Sequence, residues 1–240
     1  MQLSQATFDR QGFAILPSVI SEAECDRLVS AVEGADKAIA GSRRLLGVES
    51  LAHAAESIRS HPVISQFLAA RSRAVQCTLF SKGLMTNWSV SPHQDLCIPV
   101  QQRVETPGWS GWSVKEGITF VQPPVHILEQ LVAVRLQLDT HSSETGPLEV
   151  VPGTHLLGRL GNAEILEHAS RGKYRCVVPR CGAVVMRPLI VHSSGKSVMD
   201  RRRRILHFLF GPPLPIGLGW AEMAWRSKLP DHPLHQQAAH

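Results

Sequence analysis

The sequence lacks the features that mark membrane-spanning and secreted proteins. None of its apolar runs approaches the ~20 residues that a membrane-spanning helix needs. The N-terminus, MQLSQATFDRQG, has neither the basic nor the apolar region of a secretion signal. The five cysteines are odd in number and form no Cys-x-x-Cys pair, which suits reduced thiols better than a disulfide framework. We therefore expect a cytoplasmic protein with no membrane partner.

The chain also has little excess charge. Its formal net charge is +5, and the most basic stretch is a run of four arginines at 201–204. This run has no interleaved aromatic residues and leads straight into the apolar ILHFLF, which indicates a buried strand. We therefore expect no nucleic-acid partner. The run is either a solvated turn that enters a strand, or it holds an arginine that points into the protein.

The first part of the chain, 1–74, carries helical patterns. A length of 240 residues with 43% hydrophobic content suits one globular domain, 1–240. GFAILPSVI predicts a short strand, and SEAECDRLVSAVEGA predicts an amphipathic helix that opens with Ser21 and Glu24 as a capping box. A further helical stretch follows and is broken near His61-Pro62.

From about residue 75 the pattern changes to short β-type runs. Turn clusters such as SSETGP and PRCG separate them, and only GNAEILEHASRG interrupts as a short helix. The runs are VQCTLF, QLVAVRLQLD, LEVVP, RCVVP, GAVVMRP and ILHFLF. Short strands without alternating long helices predict an antiparallel sandwich or barrel.

Two segments fall outside this pattern. Residues 101–124 are long, marked by Gly and Pro and weakly periodic, which predicts a lid loop or a surface excursion packed by its own tryptophans. Its notable side chains are Trp109, Trp112, Lys115 and Gln122. Residues 213–240 form a predicted C-terminal extension, whose Trp220 and Trp225 would pack on the barrel or on a partner subunit.

The segment NWSVSPHQDL places His93 and Asp95 two residues apart. On a strand such residues share a face, so both side chains can aim at one point. With His192, which ends the apolar GAVVMRPLIVH, they would form a set of two histidines and one carboxylate, as in non-haem iron oxygenases. The alternatives are a hydrogen-bonded His–Asp pair at a strand end and a core histidine.

Three motifs in order extend this pattern: HQDL at 93–96, ETGPLEVVPGTH at 144–155 and HSSGKSVMDRRRRIL at 192–206. Together with the opening FDRQGFAILPSVISEAEC, they resemble the phytanoyl-CoA dioxygenase family over roughly residues 8–210. The resemblance implies a mainly β protein with flanking helices and a double-stranded β-helix (jelly-roll, cupin-like) core at 75–212. It also implies iron(II), 2-oxoglutarate and O2, with hydroxylation of an unactivated carbon and release of succinate and CO2.

The resemblance assigns roles to individual residues. His93, Asp95 and His192 match the family's iron ligands and are the predicted catalytic set. Arg203, eleven positions beyond His192, matches the arginine that anchors 2-oxoglutarate. A guanidinium fork pairs a carboxylate bidentately, which would explain an arginine that points inward. Because four arginines stand in a row, Arg202 and Arg204 are the alternatives to Arg203.

Further residues complete the predicted site. Ser194 matches a position that hydrogen-bonds the same cosubstrate. Arg135 and Gln137 share a face of VAVRLQLD, a strand that lines the family's pocket, so both are predicted cosubstrate or substrate contacts. Gln137 fits a solvent-facing position equally well. We expect His155 to be structural and His207 to be a pocket-wall or core residue.

The presence of Asp95 favours hydroxylation, because relatives that halogenate carbon lack this carboxylate. Two other classes stay open: a zinc hydrolase on the same triad, in which Arg203 would have no role, and a non-catalytic jelly-roll binder. The expected partner is a small-molecule substrate, and Arg103, Lys115 and Arg135 hint that it is anionic. The protein is expected to be a monomer or a homodimer.

Overall fold

The computed structural model describes most of the chain. The described residues are 4–33, 43–83, 87–140, 142, 144–198, 202–215 and 217–221. The helices are α1 (Gln5–Gln11), α2 (Glu22–Glu33), α3 (Glu49–Ser60), α4 (Ile64–Phe67), α5 (Val125–Leu128) and α6 (Asn162–Arg171), with 3₁₀ turns at Leu45–Gly47 and Thr154–Leu157. The strands are β1 (Phe13–Leu16), β2 (Arg73–Lys82), β3 (Val90–His93), β4 (Ile98–Val100), β5 (Ser110–Lys115), β6 (Ile118–Gln122), β7 (Val132–Gln137), β8 (Leu148–Val151), β9 (Tyr174–Cys176), β10 (Ala183–Met186), β11 (Val191–Ser194) and β12 (Arg203–Gly211).

The strands form two main antiparallel sheets and a smaller third one. The larger sheet has the order β1-β10-β7-β12-β2, and the second has the order β3-β11-β8-β9. Strands β4, β6 and β5 form the third sheet. Neighbours in each sheet come from distant parts of the sequence, as in a jelly roll. The predicted mainly β fold with flanking helices and a double-stranded β-helix core is confirmed.

The N-terminal helices cover one face of the larger sheet. In α2, Cys25, Leu28 and Val32 recur at helical spacing and are buried in one cluster with alternate residues of β2, β7 and β12. Helix α3 ends at Ser60, immediately before His61-Pro62, where the proline disfavours helical geometry for the preceding residue. Strand β1, which lies between α1 and α2 in the sequence, pairs with β10 at the edge of the larger sheet.

Strand β12 is buried at all nine of its positions. Its residues alternate between two environments, since successive side chains point to opposite faces of a sheet. Leu206, Phe208 and Phe210 pack against the helices, whereas Ile205 and Leu209 line a cavity on the other face. A strand covered on both faces reads as a continuous apolar run, which explains ILHFLF.

The prediction of a lid loop at 101–124 was wrong in its secondary structure. Strands β5 and β6 form a hairpin that joins β4, and the turn residues Glu116 and Gly117 both have positive φ, 53° and 72°. Strand β5 is largely exposed or half-buried, so its hydrophobic alternation is weak. The half-buried Trp109 and Trp112 pack against the inner apolar cluster rather than only against each other.

The predicted C-terminal extension lies mostly outside the described residues, including Trp225. Trp220 is buried in the inner cluster, and its indole Nε1–H donates to the Pro212 carbonyl at 2.8 Å. Trp220 therefore packs on the barrel. Among the described residues, no helix is both long and apolar enough to cross a lipid bilayer.

Candidate metal centre

Strand pairing brings the three predicted ligands together. His93 is the last residue of β3 and lies directly opposite His192 of β11. The expectation that Asp95 shares the strand with His93 was wrong, because the strand ends at His93 and Asp95 follows in a loop. The Asp95 backbone N–H donates to the Pro188 carbonyl at 2.9 Å, which turns the chain back toward β11.

Gln94, between the two ligands, fixes this turn. Its side-chain amide is buried and donates to the carbonyls of Gly158 and Leu189 at 2.8 and 2.7 Å. Its amide oxygen accepts from the Leu160 N–H at 2.9 Å. Gln94 was missed in the sequence, because a glutamine between two polar residues gives no signal of burial.

The three side chains form a compact donor set. His93 Nε2 and His192 Nε2 each lie 3.6 Å from an oxygen of Asp95, and the ligand atoms of all three residues lie within 4.8 Å of one another. Each ring directs Nδ1 at a carbonyl, Ser91 O and Ile190 O, both at 2.9 Å. A carbonyl only accepts, so Nδ1 carries the proton and the Nε2 lone pair faces the shared point. Two imidazoles and one carboxylate in this arrangement fit iron(II).

The protonation states also suit a metal. Burial lowers the pKa of His192 to about 4, so this imidazole is neutral at neutral pH. Burial would raise the pKa of the Asp95 carboxyl, but the two imidazoles 3.6 Å away can take its proton, and their interactions with the carboxylate hold its pKa well below the usual range. A neutral imidazole and an ionised carboxylate are the forms that bind a divalent cation.

The triad faces a cavity of about 430 Å³ between the two main sheets. Its apolar walls include Phe80, Trp88, Leu96, Phe120, Ile205 and Leu209. Its cationic side chains are Arg43, Lys82, Lys115, Arg135 and Arg203. Among the described residues that line the cavity, Asp95 is the single carboxylate. The cavity is therefore strongly cationic.

Arg203 is the arginine of the run that points into this cavity. Its Nη1 donates to the Thr145 carbonyl at 3.1 Å and to the Gly146 carbonyl, and its side chain is buried. Its Nε has no partner, and no ion pair joins it to any described residue. Burial, assisted by the charge of Arg135, lowers the pKa of Arg203 to about 9, so the guanidinium stays protonated at neutral pH.

The two alternative arginines lie elsewhere. Arg204 points away from the cavity and forms a bidentate pair with Asp139, at 3.0 Å from Nε and 2.7 Å from Nη2, with Glu33 at 3.5 Å. Arg202 is exposed and does not line the cavity. Of the four arginines, 201 lies outside the described residues.

Lys82 was missed in the sequence and lies beside Arg203. The two residues are direct partners in the β2–β12 pairing. The Lys82 ammonium donates to Ser194 Oγ at 3.1 Å and to the Gly195 carbonyl at 2.8 Å, and it lies 5.4 Å from the Trp88 ring. Burial, followed by the charges of Arg203 and Arg135, lowers its pKa to about 8. Ser194, the predicted contact of 2-oxoglutarate, therefore lies beside the cationic pair formed by Lys82 and Arg203.

The other predicted contacts divide into two groups. Arg135 and Lys115 line the cavity, as does His207, which faces Arg135 across the β7–β12 pairing. Gln137 is buried, so its predicted solvent-facing alternative was wrong. It is not among the residues that line the cavity. Arg103, which hinted at an anionic substrate, lies outside the cavity and pairs with Glu105 at 2.8 Å. His155, expected to be structural, is buried outside the cavity and contacts the Asp9 carbonyl at 2.9 Å.

The chain matches one protein family and several solved structures. A model of the family described as phytanoyl-CoA dioxygenase matches residues 8–205. The chain is similar to SnoK, a non-heme alpha-ketoglutarate-dependent carbocyclase from nogalamycin biosynthesis, with a TM-score of 0.66, 14% identity and coverage of 99% of this chain and 94% of SnoK. It is also similar to iron-bound EctD from S. alaskensis, with a TM-score of 0.65, 17% identity and coverage of 87% and 75%. No curated protein matches the chain in sequence.

Proposed function

The chain belongs to the phytanoyl-CoA dioxygenase family, and from that premise we propose that it hydroxylates an unactivated carbon of a small molecule. Its class is that of a non-haem iron(II)- and 2-oxoglutarate-dependent oxygenase. When bound, iron(II) with 2-oxoglutarate supplies the activation of O2, and succinate and CO2 are released. We propose His93, Asp95 and His192 as the metal ligands.

One observation supports this reaction above the others: the triad shares its cavity with the buried cationic pair Arg203 and Lys82, for which the described part of the chain provides no acidic partner. A zinc hydrolase on the same triad would need no such pair, because zinc activates water without a second carboxylate anchor. A non-catalytic binder would need no open metal site. A cosubstrate with a carboxylate at each end would explain both features, since one end could bind the metal and the other could pair with the cations.

The chain's own residues would bind and shield this cosubstrate. Arg203 offers its unpartnered Nε, and Lys82 and Ser194 add an ammonium and a hydroxyl at the same end. Buried charge-assisted hydrogen bonds of this kind are stronger than neutral ones. The β5–β6 hairpin places Phe120 and Gln122 over the cavity, which reduces the access of water to the reacting centre.

Two finer proposals concern the substrate and the compartment. The excess of cationic over acidic side chains in the cavity supports a small anionic substrate, as the sequence hinted. The five free thiols support a reducing compartment such as the cytoplasm.

Anaerobic titration tests the proposed function. Iron(II) added to the apoprotein with 2-oxoglutarate is expected to produce a visible metal-to-ligand charge-transfer band, and omitting 2-oxoglutarate should abolish it. Succinate release then provides the readout for a substrate screen. If no band forms and the protein instead retains zinc tightly, the oxygenase function is wrong and the hydrolase takes its place.

The affinity for 2-oxoglutarate is expected to depend on pH through Lys82. Its pKa of about 8 in the free protein means that the ammonium is present below pH 8 and is lost above it. A bound carboxylate favours the charged form, so affinity should be constant below pH 8 and fall by up to about tenfold for each pH unit above it.

Substitution at Lys82 isolates this effect. Lys82→Met should bind 2-oxoglutarate weakly at every pH, and its affinity should not fall above pH 8. Lys82→Arg keeps its charge above pH 8, so its affinity should also not decline there. The measurement is the charge-transfer titration between pH 6.5 and 9.5, and an unchanged decline in both variants would contradict the role of Lys82.

A further inference from the structure

A second cationic centre occupies the same cavity, at Arg135. This residue lies on β7 directly opposite His207 of β12. His207 is four positions along β12 from Arg203, about 13 Å of strand at ~3.3 Å per residue. The cavity face of the larger sheet therefore carries two cationic pairs, Arg203 with Lys82 and Arg135 with His207.

Arg135 is buried, and no carboxylate of the described residues forms an ion pair with it. The residue is 8% exposed, and its Nε has no hydrogen-bond partner among the described residues. Nη1 contacts His207 Nδ1 at 3.0 Å, and Cζ lies 5.2 Å from the centre of the Phe80 ring. No ion pair joins it to a described residue. A buried charge without a counter-ion is costly, so this arrangement indicates that an anion binds here.

His207 adds a second donor to this centre. A guanidinium only donates hydrogen bonds, so His207 Nδ1 must accept, and the neutral ring carries its proton on Nε2. Burial, followed by the charge of Arg135, lowers the pKa of His207 to about 3, so the ring stays neutral at neutral pH. The pair thus offers free N–H groups from both a guanidinium and an imidazole.

The metal and cosubstrate do not account for the charge of Arg135. If iron(II) binds, the carboxylate of Asp95 and the metal-bound end of 2-oxoglutarate would balance its two positive charges. The far carboxylate of the cosubstrate would pair with Arg203 and Lys82. Arg135 would be left over. The same cavity also has apolar lining: Phe80, whose ring centre lies 5.2 Å from the Arg135 Cζ, with Leu131, Ile205 and Leu209.

We propose that Arg135, with His207, binds a carboxylate of the substrate, which is a small organic acid with an apolar carbon skeleton. The apolar side chains contact the skeleton and hold one of its carbons beside the metal centre. This inference rests on the proposed function and deepens it, since it makes Arg135 the residue that selects acids over neutral analogues.

The test compares carboxylic acids with their primary amides. The probes are aliphatic and arylalkyl acids of three to ten carbons, each with its amide, added anaerobically to the complex of protein, iron(II) and 2-oxoglutarate. Binding is read from the shift of the charge-transfer band. At least one acid should bind the wild-type protein at least tenfold more tightly than its amide does. Arg135→Gln should remove that preference, while its affinity for 2-oxoglutarate stays within threefold of the wild-type value.

Two further variants sharpen the result. Arg103→Gln removes the same charge from an exposed site outside the cavity and should keep the preference for acids. Arg135→Lys retains the charge and should keep part of it, which covers the case in which the glutamine variant does not fold.

Three outcomes would overturn the proposal. They are that no acid binds wild type more tightly than its amide, that the preference survives in Arg135→Gln, and that this variant loses 2-oxoglutarate as severely as a variant at Arg203. The last outcome would assign Arg135 to the metal-bound end of the cosubstrate. Failure of the proposed function is distinct, because then wild type forms no charge-transfer band at all.

Discussion

Replacing His192 by alanine is expected to weaken iron(II) binding by at least about 100-fold and to abolish succinate formation. Changes to groups that only orient a metal ligand already cost 10–100-fold in affinity, roughly, so loss of a ligand should cost more. His192 is buried, and its Nε2 faces Asp95 at 3.6 Å. The measurement is competition with a coloured iron(II) chelator under anaerobic conditions.

His155→Ala is the matched control for this variant. His155 is also a buried histidine, but it contacts the Asp9 carbonyl outside the cavity, and its ring packs against Gly12. The control should lower the free energy of unfolding and leave iron(II) affinity unchanged. Equal loss of iron in both variants would mean that His192 acts through folding, and retention of iron in His192→Ala would remove it from the ligand set.

The metal centre could be predicted because its residue types carry their chemistry in the sequence. A His-x-Asp pair before an apolar segment and a histidine after another indicated three candidate ligands, and the family resemblance matched the same three residues; the structure brings them together. The path of the chain was less predictable. Asp95 lies beyond the strand, and its position depends on the Pro188 carbonyl and on the buried Gln94, neither of which has a local sequence signal.

The cationic side of the cavity was harder to predict. Lys82 ends a strand, where a lysine usually marks the surface, and its inward direction depends on its register with Arg203. Gln137 shares the face of Arg135, but within β7 only Arg135 lines the cavity. The register between distant strands decides which of these side chains line the cavity. That register is set by the whole sheet rather than by local residues.

The β5–β6 hairpin is a third feature that the sequence did not predict. Its turn uses Glu116 and Gly117 in left-handed conformations, a geometry that asparagine or aspartate with glycine would have indicated. Contacts from elsewhere support the unusual glutamate: Arg44 Nη2 donates to its carbonyl at 2.6 Å, and Arg43 pairs with its carboxylate. Tertiary contacts therefore stabilise a turn that the local sequence does not specify.

Replacing Arg203 by alanine is expected to weaken 2-oxoglutarate binding by at least about 100-fold, within the 2–5 kcal/mol typical of removing one partner of a buried charge pair. The variant should keep iron(II), because Arg203 contacts the Thr145 and Gly146 carbonyls rather than the triad. Its charge-transfer band should therefore need far more 2-oxoglutarate to reach half intensity. The measurement is the anaerobic titration at fixed iron(II).

Arg204→Ala is the control for this variant, because it removes an adjacent and identical residue of the same run. Arg204 pairs with Asp139 and Glu33 on the other face of the sheet, so its loss should lower the free energy of unfolding by about 1–3 kcal/mol and leave 2-oxoglutarate affinity unchanged. If both variants lose affinity for 2-oxoglutarate equally, the arginines of the run act through their combined positive charge rather than through one specific contact. If only Arg204→Ala loses it, the cosubstrate is anchored one residue later than the register of β12 with β2 indicates.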